Sequence, residues 1–146
     1  MTAPRPRLLI ADDHAHVAAG LSSLLAPDYE VAGVVGDGDQ VLEAVAAQRP
    51  DLLLLDLWLP GRNGLDLLVE LHQAHPGTKV VVLTMHADIV VAVEAMNRGA
   101  QGFVLKDSGY DELHAALKQV LGGHPYLSPR VTGEPATTIF RDPGKF

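Results

Sequence analysis

Polar side chains that could carry acid, nucleophile or metal chemistry follow short apolar runs at four places in the chain. Carboxylates suit metal binding and nucleophilic attack, while a hydroxyl and an ammonium suit the holding of an anion. These residues are Asp12 and Asp13 after Leu8–Ala11, Asp56 after Leu52–Leu55, Thr84 after Val80–Leu83, and Lys106 after Gly102–Leu105. Whether they act together depends on the elements that carry them.

A fifth apolar run, Val31–Val35, completes a series in which each run is followed by a segment with helical spacing. This alternation predicts βα units, and near-continuous apolar runs are typical of parallel strands covered by helices on both faces. The expected helical core positions are Val17, Leu21, Leu24 and Leu25; Val41, Leu42 and Val45; Leu65, Leu68, Val69 and His72; and Leu113, Leu117, Val120 and Leu121. Ser108 to Asp111 predicts a capping box before the last of these helices.

The predicted fold class is α/β, a (βα)₅ doubly wound parallel sheet with the flavodoxin-like strand order 2-1-3-4-5. Ligands of such sheets bind outside the carboxyl ends of the strands, where the strand order reverses. That point lies between the first and third strands, so Asp12, Asp13 and Asp56 are expected to share one small pocket.

Three neighbouring carboxylates repel one another unless a cation is bound, and hard oxygen ligands of this kind suit Mg²⁺. Lys106 and Thr84 at the same edge could hold the oxygens of a phosphoryl group in transfer, with Asp56 as its nucleophile. Taken singly, Asp13 could be only a helix N-cap, and Thr84 or Lys106 only a surface residue. Their joint occurrence favours phosphoryl chemistry.

Composition excludes several classes of function. The 146 residues contain no cysteine, which rules out disulfides and thiolate sites, and the net charge of −7 opposes nucleic-acid binding by this chain alone. No apolar run approaches the ~18 residues of a membrane span, and residues 1–7 do not form a signal peptide. We expect a soluble cytoplasmic protein without a membrane partner.

The predicted organisation is an N-terminal extension at residues 1–6, one domain at residues 7–124, and a linker or disordered tail at residues 125–146. Repeated proline and glycine residues interrupt every pattern after His124. The tail offers no DNA-reading helix.

The motifs resemble those of the receiver domain of bacterial two-component response regulators. They are Ala11-Asp12-Asp13-His14, the segment from Asp56 through Trp58 and Pro60 to Gly64, Leu83-Thr84, and Gly102-Phe103-Val104-Leu105-Lys106-Asp107. Lys106-Asp107-Ser108 and Tyr126-Leu127-Ser128-Pro129 are similar to the subfamily with a LuxR-type helix-turn-helix. Either the chain is a receiver from a longer regulator, which we favour, or it is a stand-alone receiver.

This resemblance implies a phosphorylation-activated switch with Asp56 as phosphoacceptor and a sensor histidine kinase, or a small acyl phosphate, as donor. It implies that Asp12, Asp13, Asp56 and the Trp58 carbonyl hold Mg²⁺, and that Thr84 and Lys106 contact the phosphoryl oxygens. Thr84 and Phe103 would then transmit the switch to helix 4, strand 5 and helix 5. The protein would modify itself rather than act as a conventional enzyme, and would reach DNA only through an output domain absent from this chain.

Two bulky residues are expected at the mouth of the site. Trp58 stands two residues after Asp56, and His86 two after Thr84. We hypothesise that they restrict water and so tune the lifetime of an acyl phosphate; the alternative is that Trp58 only covers apolar surface. The remaining histidines, His14 among them, are interpreted as solvated.

The fourth helix carries more apolar residues than one core stripe needs. We expect Ile89, Ala92, Val93 and Met96 in the core and Val90 and Val91 on the surface. Exposed valines indicate a contact face, so we predict a homodimer or output-domain surface on helix 4 or helix 5.

Other classes of function fit the residues less well. A haloacid-dehalogenase-type phosphatase needs a second acid where Trp58 stands, a flavin carrier would meet repulsion from Asp12 and Asp13, and no phosphate-binding loop for nucleotides is present. The main alternative is a phosphorylation-independent interaction module.

Overall fold

The computed structural model describes residues 4–86 and 88–132. They form a parallel six-stranded sheet in the order β2-β1-β3-β4-β5-β6, flanked by helices. The strands are β1 (Arg7–Ala11), β2 (Glu30–Val35), β3 (Leu52–Leu55), β4 (Lys79–Thr84), β5 (Gly102–Leu105) and β6 (Tyr126–Leu127). The helices are α1 (Ala15–Leu25), α2 (Val41–Gln48), α3 (Gly64–Ala74), α4 (Ile89–Asn97), α5 (Tyr110–Leu121) and α6 (Pro129–Thr132), with a 3₁₀ turn at Gly38–Gln40.

The central strands are apolar throughout because both faces of the sheet are covered. In β3, Leu53 and Leu55 pack into the cluster beneath α2, α3 and α4, while Leu52 and Leu54 pack beneath α1 and α5. All four leucines are buried. The alternation of side chains along a strand therefore divides one leucine run between two hydrophobic cores.

The predicted fold class and the order 2-1-3-4-5 are confirmed. The structure adds β6, which pairs with β5 through Gly102 and Phe103, and the short helix α6, whose Val131 is buried. Ordered structure thus continues beyond the predicted end of the domain at residue 124. The rest of the predicted tail, residues 133–146, lies outside the described residues, as do residues 1–3 of the predicted extension.

Several predicted helix faces differ from the observed ones. Val17, Leu24 and His72 are exposed, and α3 instead buries Leu67 and Leu71 beside Leu68. The predicted capping box is wrong, because α5 begins at Tyr110 with Gly109 as its N-cap and no side chain caps it. Gly109 has φ = 94°, a conformation that glycine adopts readily.

Helix α4 also differs from its predicted orientation. Its fully buried residues are the small Ala92 and Ala95, with Val91 and Met96 packed against the same core. Ile89 and Val93, expected inside, are exposed, and Val90 is 73% exposed. Small residues at the contact allow the helix to approach the sheet, while Ile89, Val90 and Val93 face outward.

We found no helix within the described ranges, 4–86 and 88–132, that is long and apolar enough to cross a membrane.

Candidate functional site

The carboxyl ends of four strands bring the predicted site residues to one edge of the sheet. Asp12 and Asp13 follow β1, Asp56 follows β3, Thr84 ends β4 and Lys106 follows β5. Backbone hydrogen bonds hold these strand ends in register: the Asp56 N–H donates to the Ala11 carbonyl at 2.9 Å, and the Lys106 N–H donates to the Thr84 carbonyl at 2.8 Å. The predicted convergence of the strand ends is therefore observed.

Two buried carboxylates share one ammonium at this edge. Lys106 Nζ lies 2.7 Å from Asp12 Oδ2 and 3.0 Å from Asp56 Oδ2. The three side chains are only 6%, 3% and 4% exposed, respectively. Asp13 stands beside them with a side chain that is 39% exposed. We call Asp12, Asp13, Asp56 and Lys106 the acidic pocket; it holds three carboxylates against one ammonium.

The second oxygen of each buried carboxylate is fixed by the loop that follows it. Asp12 Oδ1 accepts the His14 N–H at 2.8 Å, and Asp56 Oδ1 accepts the Trp58 N–H at 2.9 Å. In both cases the Oδ2 atoms are left facing Lys106. The carboxylates are thus oriented before any ligand enters, which reduces the reorganisation that a reaction would need.

The charge on Lys106 is stabilised by its partners. Burial alone would lower the pKa of the Lys106 ammonium, but its hydrogen bonds and charge interactions with Asp12 and Asp56 outweigh burial and raise the pKa above its ordinary value. Lys106 is therefore a permanent cation at neutral pH.

The loop between β3 and α3 depends on a close backbone approach. A Cβ added to Gly64 would lie 2.5 Å from the Leu57 carbonyl oxygen, so only glycine fits at the start of α3. Asn63 caps the same helix, its side chain accepting the N–H groups of Leu65 and Asp66. This packing fixes the chain around Trp58, whose carbonyl was predicted as a metal ligand.

The other predicted residues are buried to different extents. Thr84 is buried, and its Oγ1 accepts the His86 N–H at 3.3 Å. Phe103 is completely buried on β5, in the core cluster that also contains Ala92 and Ala95 of α4. The rings of Trp58 and His86 meet edge to face, with centroids 5.3 Å apart, and Trp58 is 57% exposed.

His14 is the residue that the sequence interpretation missed. Its Nδ1 lies 3.1 Å from Asp12 Oδ1, 3.4 Å from Asp13 Oδ1 and 3.9 Å from Asp56 Oδ2. His14, not Asp13, is the N-cap residue of α1. The position of His14 directly after two pocket aspartates was the available signal of its contact with the pocket. The spacing of the histidines along the sequence does not reveal this contact.

Asp12, Asp13, His14 and Asp56 offer ligand atoms that all lie within 4.8 Å of one another. The oxygen donors fit a hard divalent cation such as Mg²⁺, which is commonly held by one or two carboxylates with water and phosphate oxygens. The fold and this edge together define a doubly wound parallel α/β domain with an acidic pocket at the carboxyl ends of its strands.

The chain belongs to the response regulator receiver domain family, whose profile matches residues 8–118. It is 34% identical over 129 residues to the oxygen regulatory protein NreC of Staphylococcus carnosus, covering 86% of this chain and 59% of that protein. It is 37% identical over 127 residues to the nitrate/nitrite response regulator protein NarL of Escherichia coli K12, with the same two coverages. The chain thus spans about three-fifths of these relatives.

Solved structures of the same kind superpose closely. A LuxR-family two-component response regulator from Aurantimonas sp. SI85-9A1 has a TM-score of 0.84 at 29% identity, over 94% of this chain and 99% of that one. The signal receiver domain of the putative regulator NarL from Mycobacterium tuberculosis has a TM-score of 0.79 at 29% identity, over 84% and 100%. The resemblance to receivers of the LuxR-type subfamily is confirmed.

Proposed function

We propose that this receiver is switched by phosphorylation of Asp56, with a sensor histidine kinase or a small acyl phosphate as donor. The observation that carries this proposal is the buried Asp56 carboxylate, which is held by Lys106 and the Trp58 N–H at the edge of the sheet. A carboxylate fixed in this way is set up to attack an electrophile that approaches from solvent.

In the reaction, a carboxylate oxygen of Asp56 forms a bond to phosphorus while the bond from phosphorus to the donor nitrogen or oxygen breaks. The leaving imidazole or carboxylate departs with that electron pair. Lys106 and the Thr84 hydroxyl hold the phosphoryl oxygens and stabilise their developing charge. The product is an acyl phosphate on the protein, so the catalysis is self-modification.

Asp12, Asp13, Asp56 and the Trp58 carbonyl are the residues that would hold Mg²⁺. The bound ion would neutralise charge on the carboxylates and on the phosphoryl oxygens. Asp12 and Asp56 are nine-tenths buried and already oriented by the His14 and Trp58 N–H groups, which leaves them ready to accept a cation.

Thr84 and Phe103 are the residues that we propose to transmit the switch to the surface formed by α4, β5 and α5. Phe103 shares its core cluster with Ala92 and Ala95, so a movement of its ring would press on α4. Its carbonyl accepts the Ser128 N–H at 2.9 Å, which ties β5 to the segment after β6. A change at β5 would therefore also reach the segment after β6, where we propose that an output domain is attached.

We further propose that Trp58 and His86 tune the lifetime of the phosphorylated state by restricting water. Their edge-to-face contact supports this role, because the N–H groups of the same two residues donate to the side chains of Asp56 and Thr84. Trp58→Asn removes the indole and is expected to increase the rate of phosphate loss severalfold, measured as decay of the phosphorylated mass after donor removal. An unchanged decay rate would leave Trp58 with only a surface-covering role.

The proposed partners are the kinase, a second copy of the chain through α4 or α5, and DNA through an attached LuxR-type output domain, all in the cytoplasm. The exposed Ile89, Val90 and Val93 support the α4 surface.

Val90→Asp should weaken phosphorylation-dependent dimerisation in analytical ultracentrifugation. Val91 is unsuitable for this test because it packs against the core.

Intact-protein mass after incubation with acetyl phosphate and Mg²⁺ tests the function. The wild type should gain one phosphoryl group, which Asp56→Asn and a chelator should abolish. Asp51→Asn is the matched control, since Asp51 directly precedes the strand that Asp56 follows.

If the wild type gains no mass, beryllofluoride binding separates fast hydrolysis from an inert site. Failure of both measurements would favour the phosphorylation-independent interaction module.

A further inference from the structure

The imidazole of His14 stands over the acidic pocket although its side chain is 60% exposed. As the N-cap residue of α1 it has an extended backbone conformation (φ −87°, ψ 98°), and its N–H donates to Asp12 Oδ1. These two constraints turn the residue back towards β1. As a result, Nδ1 reaches one oxygen of each pocket carboxylate at distances between 3.1 and 3.9 Å.

A second contact shows that the same nitrogen faces a cation. Lys106 Nζ lies 3.2 Å from His14 Nδ1. In the tautomer protonated at Nε2, Nδ1 accepts a hydrogen bond from this ammonium, so its lone pair points into the pocket. Lys106 is then surrounded by Asp12, Asp56 and His14, which all accept hydrogen bonds from its ammonium. The same three side chains could act as ligands of a metal ion that takes the position of the ammonium.

The addition of nitrogen changes the metals that the pocket suits. Carboxylate and carbonyl oxygens suit Mg²⁺ and Mn²⁺, whereas imidazole nitrogen suits Zn²⁺, Ni²⁺ and other first-row transition ions. Four ligand atoms within 4.8 Å of one another form a mixed set of three oxygens and one nitrogen.

We propose that His14 Nδ1 is a direct metal ligand, and that it makes the acidic pocket a site for divalent first-row transition ions as well as for Mg²⁺. This inference rests on the metal site of the proposed function. It predicts that the preference for Co²⁺ over Mg²⁺ depends on one residue, His14, while Mg²⁺ binding depends on the carboxylates.

Metal titration of the unphosphorylated protein tests this proposal without any activity. Co²⁺ and Mg²⁺ affinities are measured by calorimetry for the wild type, His14→Ala and His16→Ala. Loss of an outer-shell partner already weakens metal binding about tenfold, so loss of a direct ligand should weaken Co²⁺ binding by at least about tenfold. Mg²⁺ affinity should change less than about twofold, and His16→Ala should change neither.

Pulsed electron paramagnetic resonance of the Cu²⁺-loaded protein gives an independent readout. Protein labelled with ¹⁵N-histidine should show a nitrogen coupling to Cu²⁺, an ion that imidazole suits, and this coupling should be lost in His14→Ala and kept in His16→Ala. Retained Mg²⁺ binding by His14→Ala demonstrates that the variant is folded.

Two results would overturn the proposal. One is an equal change in Co²⁺ and Mg²⁺ affinity in His14→Ala, and the other is the absence of nitrogen coupling in a wild type that binds Cu²⁺. Neither result touches the proposed phosphorylation of Asp56. Failure of the wild type to bind any of the three ions would instead remove the metal site itself, and with it both proposals about metal binding.

Discussion

The charged side chains at the two edges of the sheet differ in how far they are buried. At the amino-terminal edge, Arg7 donates to Glu30 Oε1, to the Gln48 carbonyl and side chain, and through its backbone to Asp51 Oδ2, all at 2.8 to 3.1 Å. Arg7 and Glu30 remain 35% and 52% exposed. At the carboxyl-terminal edge, Lys106 and its two partners are almost completely buried.

The difference indicates that the carboxyl-terminal edge carries more charge than folding alone requires. Formation of an exposed ion pair costs little desolvation and contributes little to folding stability. Buried charges lose their hydration, and their partners must compensate for that loss. The acidic pocket has three carboxylates for one ammonium, an excess of negative charge that does not serve folding. We infer that this excess is retained because a cation and a phosphoryl group complete the site.

Lys106→Met should have the largest effect on stability. It leaves Asp12 and Asp56 buried without their cation, and the loss of one partner from a buried pair costs about 3 kcal/mol. We expect the free energy of unfolding in EDTA to fall by about that amount in urea denaturation. Addition of Mg²⁺ should restore part of the loss, because a bound ion replaces the missing charge. An equal loss with and without Mg²⁺ would contradict the cation-binding role of the pocket.

Arg7→Met at the opposite edge should have a smaller effect. Its exposed pair with Glu30 and its hydrogen bonds to Gln48 together justify a loss of about 1 kcal/mol. The loss should be the same in EDTA and in Mg²⁺. A Mg²⁺-dependent loss would mean that the two edges are coupled through the sheet.

Sequence patterns predicted the strands of the sheet and the residues at their carboxyl ends. Five apolar runs and one topological rule place Asp12, Asp56, Thr84 and Lys106 at a common edge, since the ends of parallel strands coincide. Strand β6 was missed because Tyr126 and Leu127 are too short a run to show a period. Its pairing with β5 comes from the tertiary structure alone.

The remaining errors concern the rotation of side chains and helices. The ring of His14 reaches the pocket through the backbone angles of an N-cap, which residue spacing does not encode. Helix α4 buries alanines and exposes Val90 because close packing against the sheet favours small residues. A hydrophobic stripe identifies apolar positions, but which of several apolar faces turns inward depends on the fit to the sheet.

Asp13→Asn should have the smallest effect on stability, and the effect should be a gain, whereas the other substitutions cause a loss. Asp13 is partly exposed beside Asp12 and Asp56, so its removal relieves repulsion and should raise the free energy of unfolding in EDTA by about 0.5 kcal/mol. The same substitution at Asp51 removes the negative charge of the carboxylate that accepts the Arg7 N–H, and it should lower the free energy of unfolding. In urea denaturation with Mg²⁺, Asp13→Asn should lose most of the metal-dependent gain, while Asp51→Asn keeps it. If Asp13→Asn destabilises the protein in EDTA, the three carboxylates do not repel one another strongly, and the charge excess at this edge is no evidence for a cation site.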